Sequence, residues 1–229
     1  MDYLGNNTSK IAEYFTSRGG VFLTDPSDLA SRLETMRGLI FDWDGVFNNG
    51  VKGAGLASTY SEADSMGTNM LRYGLWLSNN SLPITAIITG ETNNSARFLA
   101  EREHFNAIYQ ASGNKRKVIQ EVSKKYGLAT KNLVCIFDDI NDLGMASVCG
   151  IRIMVRQRSA PLLQNFVVEE GLVDYMTAAE SGEQAVRETS EMLLGLMGSF
   201  DVVVRSRMAM DERYQKYFKE RQAITTIFN

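Results

Sequence analysis

The chain has 229 residues, 44% of them apolar and 22% charged, proportions that supply a buried core and exclude disordered, collagenous and coiled-coil classes. At about 150 residues per domain, this length allows one full domain with appendages and speaks against two large ones. The 24 basic and 27 acidic residues leave a net charge of -3, which gives no electrostatic footprint for a polyanion, so neither a nucleic-acid partner nor a membrane surface is expected.

The opening residues Met1, Asp2, Tyr3, Leu4, Gly5 and Asn6 lack the basic-then-apolar order of a signal peptide. No apolar run approaches the roughly 20 residues that span a bilayer, so a cytoplasmic location is expected. Thr24, Asp25 and Pro26 read as a helix cap with proline at the first helical position, followed by Leu29, Leu33 and Met36 at helical spacing. Residues 1–36 are therefore taken as a helical extension leading into the main domain. Short apolar runs at 38–41, 84–88, 133–137 and 151–155 read as strands, the first three apolar nearly throughout, as strands buried on both faces of a parallel sheet should be. Weaker strands are expected at 107–110 and 173–176. Between strands, Val118, Ile119, Val122 and Tyr126 form one stripe of a helix over 115–126, ended by Gly127. Alternating strand and helix predicts an α/β domain over 37–198. The lone histidine, His104, stands among Glu101, Arg102 and Glu103 and reads as part of a solvated helix face. Cys135 and Cys149 have no metal spacing and read as reduced core residues. Residues 199–229 form a charged tail, with a helix expected over 205–223.

Three strands run into polar residues: the first into Asp42, Trp43, Asp44 and Gly45, the second into Thr89 and Gly90, the third into Asp138 and Asp139 with Asp142 one turn on. Ligands of open parallel sheets bind beyond the carboxyl ends of the strands, so these groups converge there. Five carboxylates in one crevice are costly unless protonated or bridged. A hard divalent cation with oxygen ligands is the economical solution, and magnesium is the expected ion.

These residues resemble the four motifs of the haloacid dehalogenase superfamily of phosphohydrolases: Asp42-x-Asp44-Gly45-Val46, Thr89-Gly90, Lys115, and Asp138-Asp139-x-x-Asp142, in that order. Within it, residues 37–195 are similar to the small capless members of the 3-deoxy-D-manno-octulosonate 8-phosphate phosphatase type, on Asn49-Gly50, Asp64-x-x-Gly67, Ile87 to Gly90, the segment from Tyr109 to Lys115, and Gly182-x-x-Ala185-Val186-Arg187-Glu188. The resemblance implies a three-layer, Rossmann-like, doubly wound parallel sheet without a large cap. It implies a magnesium-dependent phosphomonoester hydrolase acting on a small sugar phosphate, with Asp42 as nucleophile and Asp44 as general acid and base. Magnesium would be held by Asp42, the Asp44 main-chain carbonyl and Asp138, with Asp139 or Asp142 orienting water around the ion without ligating it. Gly45, Thr89, Gly90 and Lys115 would bind the phosphate, and Asp64, Glu91, Asn114 and Arg187 would complete the substrate site.

The resemblance further implies a homotetramer, with a short projecting hairpin over 47–60 and Arg187 reaching a neighbour's site. Two departures bear on specificity: Phe137 stands where a glycine commonly precedes the motif-four aspartate, and Glu91 where relatives carry an arginine. Inside the crevice Glu91 would repel an acidic sugar, so neutral or amino sugar phosphates are expected; turned outward, it would be an N-terminal helix residue favoured by the helix dipole. A non-catalytic regulatory or scaffold subunit of the same fold is the alternative, and a phosphotransferase is disfavoured because the sequence between the motifs is too short for a cap.

Overall fold

The structure, a computed structural model, describes residues 7–229; the opening residues Met1 to Asn6 lie outside the described part. In chain order the elements are α1 (Thr8–Thr16), β1 (Val21–Phe22), α2 (Pro26–Leu33), β2 (Gly38–Phe41), α3 (Glu62–Asn79), β3 (Ile84–Ile88), α4 (Asn94–Arg102), β4 (Ala107–Tyr109), α5 (Lys115–Tyr126), β5 (Leu133–Phe137), α6 (Leu143–Ala146), β6 (Ile151–Arg156), α7 (Pro161–Glu169), β7 (Tyr175–Glu180), α8 (Ala185–Leu196), α9 (Phe200–Ala209), α10 (Glu212–Gln222) and β8 (Ile227–Phe228).

The eight strands form one sheet in the order β1-β7-β6-β5-β2-β3-β4-β8, parallel throughout except for β1 against β7. From β2 the chain winds outward through β3 to β4, then returns to the other flank of β2 and winds outward through β5, β6 and β7. This is the doubly wound order, and its reversal between β2 and β5 opens a crevice at their carboxyl ends. The apolar runs follow from burial on both faces. Leu39, Phe41, Val134 and Ile136 face a core under α1, α2, α3, α4 and α8, whereas Ile40, Leu133, Cys135 and Phe137 face a second core under α5, α6 and α7. Phe137 is thereby a core residue of β5, and Cys135 and Cys149 are buried and unpaired.

Register places the chemistry. Phe41 lies opposite both Ile87 and Ile136, so Asp42, Thr89 and Asp138 leave their strands within one residue of the same level. The Asp42 N–H extends the ladder by one bond, donating to the Ile136 carbonyl at 3.0 Å.

Several expectations need correction. Residues 47–60 contain no strand, and the expected hairpin is an irregular loop whose glycines and exposed residues find no pairing partner. The expected strand at 173–176 starts two residues later and runs on to Glu180. The tail helix is two helices, broken where Met210 adopts φ 49 and Asp211 caps α10 by accepting from the Tyr214 N–H at 2.9 Å. His104 is not on a helix face: it follows α4 at φ 52, and its Nδ1 pairs with the Ile224 carbonyl at 2.9 Å. The edge strands β1 and β8 were not anticipated, because two residues carry no readable period. They come from the N-terminal and C-terminal segments respectively. Among the described residues, no helix is long and apolar enough to cross a membrane.

The tail is fastened by a buried polar cluster. Glu103, 5% exposed, accepts from Ser65 Oγ at 2.9 Å on one carboxylate oxygen, and from Arg221 Nη1 at 2.7 Å and Asn69 Nδ2 at 3.2 Å on the other. Tyr217 donates its hydroxyl to the Asn69 carbonyl at 2.9 Å, and Arg72 spans the Glu103 and His104 carbonyls.

Candidate active site

The turn after β2 alternates. Trp43 is fully buried and stacks on Phe47 at 5.2 Å, which turns Asp42 and Asp44 the other way, toward the crevice. Gly45 follows at φ +86, and a Cβ there would lie 1.9 Å from Asp138 Oδ2. Only glycine both makes the turn and lets this backbone lie against Asp138.

Thr89 follows β3 directly and is buried, its N–H donating to the Tyr109 carbonyl at 2.9 Å. Lys115 opens α5, whose first turn is capped by Asn114 Oδ1 accepting from the Lys117 N–H at 3.1 Å. The buried Lys115 ammonium donates to Asp42 Oδ1 at 2.5 Å and to Asp142 Oδ1. The other Asp142 oxygen accepts from the N–H groups of Asp138 and Asp139, at 3.4 and 3.3 Å. Asp139 accepts from the Ile140 N–H at 2.7 Å and caps the short turn that holds Asp142. Asp138 Oδ2 accepts from Gln157 Nε2 at 2.7 Å, while Asp138 Oδ1 is buried with no partner.

Three buried carboxylates thus face one ammonium. Burial, and then Asp142, push Asp42 up to about 7 despite Lys115. Burial, followed by Asp42 and Asp142, pushes Asp138 up to about 9. Burial opposes the charge on Lys115, but Asp42 and Asp142 outweigh it and raise its pKa. Carboxylates held so far above their ordinary range lack countercharge. Asp42, Asp138 and Asp142 each offer an oxygen within 4.8 Å of the others. An all-oxygen set with one orphaned carboxylate oxygen fits a hard divalent cation.

The second side of the crevice carries Asp44. Its Oδ1 accepts from Ser58 Oγ at 2.9 Å, and Ser58 in turn accepts from Asn93 Nδ2 at 2.9 Å. Its Oδ2 accepts from the Lys52 ammonium at 2.5 Å, and the same ammonium donates to Glu91 Oε2 at 2.9 Å.

Of the residues expected from sequence, Asp42, Asp44, Gly45, Thr89, Gly90, Glu91, Lys115, Asp138, Asp139 and Asp142 line one open cavity of about 510 Å³. Asp64, Asn114 and Arg187 do not line it. Asp64 is buried between helices, accepting from Ser61 Oγ at 2.8 Å and from the Arg187 N–H at 2.9 Å, so it caps the start of α8. Asn114 spends its carbonyl oxygen on the α5 cap. Arg187 pairs with Glu191 at 2.6 Å on the α8 surface. Glu91 does line the crevice, but as half of an ion pair with Lys52 and not as a bare charge. Lys52, Ser58, Asn93 and Gln157 were missed, since each lies in a loop or at an element end with no period to mark it. The one usable signal was a lysine placed between Asn49-Gly50 and Gly53.

Residues 78–166 match the family described as haloacid dehalogenase-like hydrolase. The chain is 26% identical over 175 residues to the 3-deoxy-D-manno-octulosonate 8-phosphate phosphatase KdsC of Escherichia coli K12, covering 76% of this chain and 88% of that protein. Among solved structures, the 3-deoxy-D-manno-octulosonate 8-phosphate phosphatase of Moraxella catarrhalis, in complex with magnesium, phosphate and the sugar acid, aligns with a TM-score of 0.65 at 21% identity, over 79% of this chain and 98% of that one. The cobalt-bound phosphatase of Haemophilus influenzae aligns at 0.64 and 21% identity, over 79% and 99%. The two solved structures share the fold of this chain, and the match over residues 78–166 together with the Escherichia coli relative makes the chain similar to haloacid dehalogenase-like phosphatases of the 3-deoxy-D-manno-octulosonate 8-phosphate type.

Proposed function

We propose that the protein is a magnesium-dependent phosphomonoester hydrolase acting on a small sugar phosphate through an aspartyl-phosphate on Asp42. The observation that carries this reading is the buried Asp42 carboxylate held by Lys115 beside Asp138, whose Oδ1 has no partner. The residues that would hold magnesium are Asp42, Asp138 and the Asp44 main-chain carbonyl, with the Asp142 carboxylate adjacent. When bound, the ion neutralises charge between nucleophile and phosphate, which otherwise repel.

Lys115 fixes the Asp42 carboxylate so that one of its oxygens attacks phosphorus. As the P–O ester bond breaks, Asp44 gives a proton to the leaving oxygen; it then takes one from the water that hydrolyses the aspartyl-phosphate, restoring Asp42 and releasing phosphate. Thr89, Gly90 and Lys115 supply donors for the non-bridging oxygens, where charge is spread in the transition state. Asp139 and Asp142 brace this end of the site through the capped turn. All the crevice residues lie between 42 and 157, within the segment 37–198 taken as the catalytic domain.

A sugar phosphate is the substrate class because the Escherichia coli relative is named for one and because the crevice, at about 510 Å³, is open and polar. A homotetramer in the cytoplasm belongs to the same proposal. The oligomeric state is checked by light scattering. The decisive experiment is phosphate release from a panel containing 3-deoxy-D-manno-octulosonate 8-phosphate and neutral hexose phosphates, with and without Mg²⁺, beside Asp42→Asn. Magnesium-dependent release from at least one ester, absent in the variant, is expected; no release from any of them overturns the reading.

A further inference from the structure

The carboxylate oxygens of Asp44 are held by two very different groups. Ser58, on Oδ1, is anchored by Asn93, which caps α4 by accepting from the Ser95 and Ala96 N–H groups at 3.0 and 3.1 Å. That side is tied to a helix start. Lys52, on Oδ2, projects from residues 51–57, all of them exposed and without helix or strand, including Gly53 and Gly55 at φ +77. The Lys52 side chain is 46% exposed, and an ammonium so well hydrated exchanges partners at little cost. Its second partner, Glu91, is 69% exposed and stands at the mouth of the same cavity.

The proposed reaction requires the ester oxygen of the leaving group to reach Asp44. Both carboxylate oxygens are occupied, one by an anchored hydroxyl and one by an exposed ammonium, so the leaving group and Lys52 compete for Oδ2. We propose that Lys52 is a substrate-displaced latch: it occupies Asp44 in the resting enzyme and is drawn off only by a leaving group that offers its ammonium another oxygen acceptor, a hydroxyl or a carboxylate. The inference rests on the phosphatase reading above. Glu91 keeps the ammonium at the mouth throughout, so Lys52 pivots between Asp44 and the substrate without entering bulk water. An acidic leaving group is admitted, because the charge that Glu91 would have turned against it is neutralised. A leaving group without such an acceptor leaves Lys52 on Asp44 and turns over slowly. Selection therefore appears in kcat as well as in KM.

The test compares native enzyme, Lys52→Met and Lys52→Arg on n-butyl phosphate, whose alkoxide leaving group needs the Asp44 proton and carries no acceptor, and on the best sugar phosphate of the panel. Lys52→Met is expected to raise kcat on n-butyl phosphate by about fivefold, and to lower kcat/KM on the sugar phosphate by about tenfold or more through the lost charged hydrogen bond. Lys52→Arg retains the cation and should keep the native order of preference. Opposite signs distinguish a latch from a merely structural role, which would lower both; equal losses, or no change in either, overturn it. A readout free of turnover separates this proposal from the phosphatase reading. Pulse acetylation of Lys52, normalised to the exposed Lys10 and read by mass spectrometry, should run about fivefold faster in the Asp44→Asn, Glu91→Gln double variant than in native protein. Equal labelling rates overturn the latch even if the enzyme is active, and faster labelling supports it even if no ester is hydrolysed.

Discussion

Two of the buried charge clusters in this fold differ in whether the protein finishes them. At the tail, Glu103 has both oxygens satisfied by Ser65, Asn69 and Arg221, and only the Nε atoms of Arg72 and Arg221 lack partners. At the crevice, Asp42, Asp138 and Asp142 share one ammonium, Asp138 Oδ1 faces nothing, and Asp42 and Asp138 are pushed up to about 7 and about 9, burial being the first cause in each. A finished cluster fastens elements together. An unfinished one, held open against its own electrostatic cost, is completed by something that arrives from solution.

Replacing a member should therefore have opposite consequences in the two places. Asp42→Asn is expected to abolish turnover, by at least about a thousandfold, because the nucleophile is gone. Its melting temperature should stay level or rise, since a poorly compensated carboxylate has been removed and Lys115 keeps Asp142. A marked loss of stability would place Asp42 in the scaffold. Arg221→Ala takes from buried Glu103 its nearer cation, leaving only Arg102 Nε at 3.5 Å, and should cost about 3 kcal/mol in denaturant unfolding, with kcat per folded molecule unchanged. The double replacement Glu103→Gln, Arg221→Met should cost less than Arg221→Ala alone, because no charge is then stranded.

The pH dependence sharpens the same contrast. A carboxyl group with a raised folded-state pKa binds its proton more tightly in the folded than in the unfolded protein. Its contribution to stability is full below about pH 4 and is lost as pH rises through about 7 for Asp42 and about 9 for Asp138. A cation binds only the deprotonated groups and should restore what is lost. Saturating Mg²⁺ should thus raise the melting temperature more at about pH 8.5 than at about pH 6, by the equivalent of about 1–2 kcal/mol. An equal shift at both pH values would show that these carboxylates are not where the ion binds, and Asp138→Asn should remove most of the effect.

The sequence made the crevice legible because its chemistry sits at the ends of unmistakable strands. Gly38 to Phe41 and Leu133 to Phe137 are apolar on both faces, so Asp42 and Asp138 stand out as the first polar residues after burial ends. Lys115 was readable only through the resemblance, since Lys115-Arg116-Lys117 by itself reads as a solvated helix start, and packing alone makes Lys115 buried. Asp64 and Asn114 share the family's spacing, but here their oxygens are spent on helix starts, a distinction that depends on where α8 and α5 begin. Lys52 and Glu91 lie 39 residues apart and meet because the irregular 47–60 loop, which stands in place of the expected hairpin, lines the crevice beside Glu91. Long-range pairing through an irregular loop leaves no periodic trace.

The smallest effect tests how far the crevice depends on local structure. Asn7 and Asn114 are N-caps of the same kind, each accepting from the third helical N–H at 3.1 Å, at α1 and α5 respectively. Replacing either with alanine should cost about 1 kcal/mol of stability, the ordinary price of a lost cap. At α1 the effect should end there, because no crevice residue stands on that helix. At α5 the first helical residue is Lys115, whose ammonium must reach two carboxylates at once, and a frayed first turn lets its Cα drift. Asn114→Ala is therefore expected to lower kcat by about threefold to tenfold in addition, with Asn114→Ser, which still caps, restoring most of it. Native kcat in Asn114→Ala despite the lost stability would mean that Asp42 and Asp142 position Lys115 by themselves, and that the crevice is assembled from its charges and not from the helix start beneath it.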